Sequence, residues 1–143
     1  MKIEHIGIVT KSIKKKKKEL SLVLKWKSES PVYDVKSQKV RTQFINFENL
    51  SFELIEPKTK DSPISKFLEK KGEGLHHITF LVDDGKKTYK RFKRKGLRIA
   101  QEPWEGEAHQ GRLVFFLHPK STSGILMEFV QEKEKKKLDI NLS

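Results

Sequence analysis

Apolar and polar positions alternate from Ile3 to Val9 (Ile3-Glu4-His5-Ile6-Gly7-Ile8-Val9), the period of a half-buried strand. Ser12 then offers an N-cap for a helix reaching about Leu24, with Ile13, Leu20, Val23 and Leu24 on its apolar face. Three strand-like runs follow, at Trp26–Val32, Val40–Phe47 and Leu50–Ile55, with Glu48-Asn49 as the turn between the last two. The first half reads β-α-β-β-β. A polar connector leads to Ser62-Pro63, a cap followed by proline at the first helical position, and a helix over 62–71 that Gly72 and Gly74 end.

The same order then restarts. Leu75–Val82 reads as a strand, Asp83–Lys95 as a helix stopped by Gly96, and Leu97–Ala100, Leu113–Leu117 and Ile125–Gln131 as three more strands. His5-Ile6 near the start of one half parallels His77-Ile78 in the other. Phe52-Glu53-Leu54-Ile55 closes the first half as Met127-Glu128-Phe129-Val130 closes the second. Two units each too small to bury a sheet alone are expected to share one. The expected architecture is α+β: two βαβββ modules, about 1–57 and 75–131, pairing into a curved, barrel-like mixed sheet with helices outside. Residues 132–143 form a charged tail without period, expected to be disordered.

Side chains two apart on a strand share a face. His5, Glu53, His77 and Glu128 each lie opposite the large apolar residues of their own strands. If the apolar faces meet the helices, the four polar ones face the concavity, and two-fold pseudo-symmetry brings two imidazoles and two carboxylates together. That donor set suits one divalent cation such as Co, Zn, Ni, Mn or Fe, with positions left for substrate oxygens. A metal so held is a Lewis acid for an enolate, and a neighbouring carboxylate can take the proton α to a carbonyl. His76 must face away from His77 and reads as structural. His109, in a polar loop, reads as surface or turn.

Composition narrows the alternatives. The chain has 143 residues, 35% apolar and 35% charged, with no cysteine, so disulfide scaffolds, thiol nucleophiles and cysteine-ligated metals are excluded. No apolar run approaches the roughly 18 residues of a membrane span, and no secretory pattern opens the chain, so a soluble cytoplasmic protein is expected. Lys plus Arg number 31 against 19 Asp plus Glu, a net charge of +12. The excess is lysine in runs such as Lys14–Lys18, without interleaved aromatics. It implies a solvated, anion-attracting surface and no specific nucleic-acid partner.

The paired modules with His5, Glu53, His77 and Glu128 resemble the vicinal oxygen chelate (glyoxalase/bleomycin resistance) superfamily over residues 3–131, and within it the methylmalonyl-CoA epimerases. Glu53-Leu54-Ile55-Glu56-Pro57, Gly72-Glu73-Gly74-Leu75-His76-His77-Ile78 and Phe116-Leu117-His118-Pro119-Lys120-Ser121 carry that likeness. The resemblance implies one divalent metal on the quartet, a small-molecule substrate (an acyl-CoA among the candidates), a homodimer, and Glu128 as catalytic carboxylate as well as ligand. Gln38, Gln43, His118 and Lys120 are the candidate substrate contacts. The family's second carboxylate belongs in a Glu-x-Gly-Val context, where this chain has Ser37-Gln38-Lys39-Val40. Asp34 and Glu48 are the nearby acids. The function expected is therefore metal-dependent enolisation of a carbonyl acid or acyl-CoA. The alternatives are a glyoxalase-like isomerase or lyase on another substrate, or a non-catalytic ligand-sequestering protein, against which the intact quartet counts.

Overall fold

The computed structural model describes residues 1–106 and 109–133. Nine strands and three helices follow in the order β1 (Lys2–Val9), α1 (Ile13–Leu20), β2 (Ser28–Glu29), β3 (Tyr33–Val35), β4 (Val40–Asn46), β5 (Ser51–Pro57), α2 (Pro63–Lys71), β6 (Gly74–Val82), α3 (Gly85–Arg94), β7 (Ile99–Glu105), β8 (Leu113–Leu117) and β9 (Met127–Gln131). All strands belong to one mixed sheet ordered β2-β4-β5-β1-β6-β9-β8-β7, with β3 also paired to β4. The sheet is curved and open, its two ends lying at β2 and β7. Most of the expected tail lies outside the described residues; Glu132 forms an ion pair with Lys2 at 2.8 Å.

The repeat seen in the text is present in the ladder. β1 pairs parallel with β5, and β6 pairs parallel with β9. β4 and β8 add antiparallel to the far sides of β5 and β9. The halves meet at the antiparallel β1–β6 seam. Apolar residues explain which face each helix covers. α1 packs Ile13 and Leu20 over Ile45 and Leu54, and α3 packs Tyr89 and Phe92 over Phe115 and Phe129, both on the outer face. α2 instead sets Ile64 against Val9, Val40 and Ile55, which share strand faces with the polar quartet, and so closes one end of the concave side.

Several boundaries differ from those expected. α1 ends at Leu20: Ser21 caps it, its hydroxyl donating to the Lys18 carbonyl at 2.6 Å, and Leu22 and Val23 are exposed, so no buried contact supports a further turn. Of the run expected at Trp26–Val32 only Ser28–Glu29 is strand (β2); Pro31, which lacks a donor, follows it, and β3 begins beyond the run at Tyr33. β7 runs on to Glu105 through Pro103, with two register shifts against β8. Ahead of β4 a 3₁₀ turn over Lys36–Gln38 ends on Lys39 in the left-handed region (φ 54°, ψ 47°). That conformation accounts for a glycine in the related motif. Lys39→Gly is expected to stabilise the fold by about 0.5–1 kcal/mol, relief of left-handed strain outweighing the freedom gained by the unfolded chain. A urea melt checks it; an unchanged or lower midpoint contradicts it. Among the described residues no helix is long and apolar enough to cross a membrane.

Candidate metal centre

The parallel ladders place His5, Glu53, His77 and Glu128 by one rule used twice. Glu53 stands opposite Gly7, two residues beyond His5, and Glu128 stands opposite Thr79, two residues beyond His77. Each His–Glu pair is therefore offset equally, and the β1–β6 seam brings the pairs face to face, with Gly7 opposite His77 and Thr79 opposite His5. The two central positions differ for a reason. Gly7 leaves room for the His77 ring, since a Cβ there would lie 2.1 Å from His77 Cε1. Thr79 fills the equivalent place with a hydroxyl that donates to Glu128 Oε1 at 2.7 Å and sits 2.8 Å from His5 Nε2. Phenylalanines from the next strands repeat the symmetry: Phe44 packs edge-on to His5, and Phe116 to His77.

All four side chains converge. Glu53 Oε1 is 3.5 Å from His5 Nε2 and 3.4 Å from His77 Nε2; Glu128 Oε1 is 3.5 Å and 3.8 Å from the same atoms. All are buried, His5 completely. The second nitrogen of each strand imidazole is also held. His5 Nδ1 meets Glu4 Oε1 at 3.1 Å, and His77 Nδ1 meets His76 Nδ1 at 2.8 Å. Burial first, and His77 beside it, pull His76 down to about 4, so it is neutral. Such partners fix the tautomer that turns Nε2 inward, as ligand imidazoles require.

One buried histidine joins them unannounced. His109, expected at the surface or in a turn, is in a turn but only 5% exposed, stacks on His5 at 5.7 Å between ring centroids, and brings Nε2 to 3.4 Å from Glu128 Oε1. Potential ligand atoms of His5, Glu53 and His77, and of His5, His109 and Glu128, lie within 4.8 Å of one another. The sequence signal for His109 is faint: a histidine between Gly106 and Gly111 in a polar loop. Thr79 was legible as the residue sharing a face with His77.

The other candidates separate. Gln38 and Ser37 border the cavity that opens over the cluster. Gln43 points to the opposite face with Ile45, its amide donating to the Ser30 carbonyl at 2.8 Å. His118 caps a 3₁₀ turn, accepting from the Lys120 amide at 3.0 Å, and neither it nor Lys120 borders the cavity. Asp34 is bound to Lys58 and Glu48 to Lys27, both away from it. Among the described residues, Glu53 and Glu128 are the carboxylates bordering this cavity.

The electrostatics fit a divalent cation. Burial raises the pKa of Glu53, but hydrogen bonds from His5 and His77 outweigh it and hold the carboxyl at about 2. Burial acts likewise on Glu128, which His109 and His5 bring well below the usual range. For His5 burial works downward, and the bonds to Glu128, Glu4 and Glu53 prevail, raising it well above an ordinary histidine. Two buried negative charges thus await compensation, supplied in the metal-free chain by a protonated imidazole. Imidazole nitrogen with carboxylate oxygen suits a divalent transition cation, which would replace that proton.

The sign of the pH dependence follows. A raised His5 stabilises the metal-free fold below its unfolded pKa, and that contribution is lost as pH rises through the folded value. A cation held by His5 Nε2 would have to expel the proton. Affinity, and the rise in Tm on adding Co(II) or Zn(II), should therefore grow from about pH 6 to about pH 8. Calorimetry in buffers of different ionisation enthalpy should register proton release; release of none contradicts the ligand role of His5.

Residues 4–116 match the profile of the glyoxalase/bleomycin resistance protein/dioxygenase superfamily. The chain belongs to this superfamily. YqjC of Bacillus subtilis (strain 168) is 35% identical over 135 residues, 92% of this chain and 93% of its own. The mitochondrial methylmalonyl-CoA epimerase of Dictyostelium discoideum is 35% identical over 133 residues, 92% of this chain and 78% of its own. A solved methylmalonyl-CoA epimerase in complex with methylmalonyl-CoA and NH4+ superposes with a TM-score of 0.82 at 28% identity, covering 93% of this chain and 95% of that one. The superfamily's curved open sheet is thus the frame on which the His/Glu cluster stands.

Proposed function

We propose that this protein is a metal-dependent enzyme that enolises a small acyl-CoA or carbonyl acid, as a methylmalonyl-CoA epimerase does. The observation that carries the reading is the buried convergence of His5, Glu53, His77 and Glu128 beneath a cavity. A divalent cation on these four supplies Lewis acidity that stabilises an enolate oxygen. Glu128, on the cavity wall, takes the α-proton. Trp104 stacks on Phe116 at 5.9 Å between ring centroids, giving the wall an apolar side that limits water around the carbanion. Thr42 lies on the same wall, 3% exposed, with its hydroxyl unpartnered in the protein, so that it is free to bond a substrate oxygen.

The test is incubation of the metal-loaded protein with methylmalonyl-CoA in deuterated water, following the α-proton by NMR. Exchange dependent on metal supports the reading; tight binding without exchange points to sequestration. A second reading, isomerase or lyase action on another carbonyl substrate, gains from Ser37 standing where the related motif has glutamate. Inversion needs a donor on each face of the carbanion. Ser37→Glu, at the cavity's border, is expected to raise the ratio of inversion to exchange several-fold. A ratio that does not move favours single-base chemistry elsewhere in the cavity.

A further inference from the structure

Five side chains turn ligand atoms into one buried cluster, as two triads that share His5: His5, Glu53 and His77, and His5, His109 and Glu128. The strand quartet is built by the repeat, and His109 stands outside it, contributed by the segment between β7 and β8. Its backbone is nonetheless held. Its amide donates to the Gly106 carbonyl at 3.1 Å, and its carbonyl accepts from the Arg112 amide at 3.1 Å and from Arg112 Nε at 2.9 Å. Arg112 also reaches the Gln131 carbonyl at 3.3 Å and Glu4 Oε2 at 3.9 Å. Glu4 is the same residue that holds His5 Nδ1. The His5 ring and the His109 backbone are therefore linked through Glu4 and Arg112. Gly106 leaves the space into which the ring tucks, since a Cβ there would meet His109 Cδ2 at 3.2 Å and Val114 Cγ2 at 2.7 Å.

A buried imidazole whose Nε2 faces a ligand carboxylate across 3.4 Å is at a separation suited to two donors sharing a cation, with each metal bond near 2.0–2.1 Å. We infer that His109 is a third imidazole ligand of the resting metal, and that it gives up its place when a substrate chelates. This rests on the proposed metal-dependent reading and extends it. The reason for exchange is coordination number. On a six-coordinate cation four strand ligands would leave room for two substrate oxygens, and a fifth protein ligand would leave room for one. His109 is the ligand to yield, because the other four are fixed in hydrogen-bonded strands. Until then it would cover the metal's open side and shield it from adventitious anions. The cost falls on substrate affinity, and the gain is a metal held more tightly in the resting enzyme.

The test uses the full chain loaded with Co(II), whose unpaired electrons shift the ring N–H protons of coordinated imidazoles far outside the ordinary proton spectrum. Three such solvent-exchangeable resonances are expected in the resting protein, falling to two with saturating methylmalonyl-CoA. His109→Gln should show two throughout and bind Co(II) roughly tenfold more weakly, equivalent to about 1.4 kcal/mol. Two resonances in the unmodified resting protein overturn the inference while leaving the quartet intact, whatever the variant does. Three that persist with methylmalonyl-CoA bound overturn the exchange. Failure of the chain to take up Co(II) at all overturns both this inference and the metal-dependent reading.

Discussion

Gly7→Ala is expected to abolish tight metal binding and lower stability by about 2–3 kcal/mol, although it adds a single methyl group. The new Cβ would meet His77 at 2.1 Å from Cε1, 2.3 Å from Nδ1 and 2.8 Å from Nε2. The ring cannot step aside freely, because His76, His5 and Phe116 surround it. Either the imidazole leaves the cluster or the β1–β6 seam parts. Thermal melts and Co(II) titration read the two consequences separately. The double variant Gly7→Ala/His77→Ala should recover most of the stability, through non-additivity of touching sites, and none of the affinity. A single variant that binds metal normally would show that the seam tolerates what the close approach forbids.

Glu128→Gln is expected to cut α-proton exchange by about 10²–10⁴-fold at saturating metal, the range for loss of a positioned general base. The amide keeps the shape of the side chain and an oxygen for Thr79 to donate to, but it cannot accept the proton. Metal affinity should fall as well, so the rate must be compared at full loading, with occupancy measured directly. Glu53→Gln is the informative partner. It removes one charge from the same cluster, and on the assignment above it should weaken metal binding while costing far less in rate once loaded. Equal losses in the two variants would deny Glu128 a role beyond holding the ion.

The quartet was legible because two independent periodicities agree on it. Strand alternation puts each of His5, Glu53, His77 and Glu128 on the face away from its large apolar neighbours, and the repeat aligns them at separations of 48 and 51 residues. Register then turns equal offsets into one cluster, which a local pattern can anticipate. His109 lay beyond that reach. Its burial depends on the hydrogen bonds of a loop and on the room left by Gly106, neither of which leaves a period. Gln43 illustrates the opposite failing, since it sits one residue from Thr42, and a shift of one along a strand exchanges the cavity for the outer face. The tight turn at Lys39 was hidden because lysine there does not announce a left-handed conformation.

The seam between β1 and β6 has a mechanical corollary. Each half of the sheet brings one imidazole and one carboxylate to the junction, so a cation there would rivet the two halves across the ladder on which they meet. Amide hydrogen exchange along Ile3–Val9 and Leu75–Val82 should slow on metal loading far more than exchange in α1 or α3, and parting of the two modules should become the rarest opening the molecule undergoes.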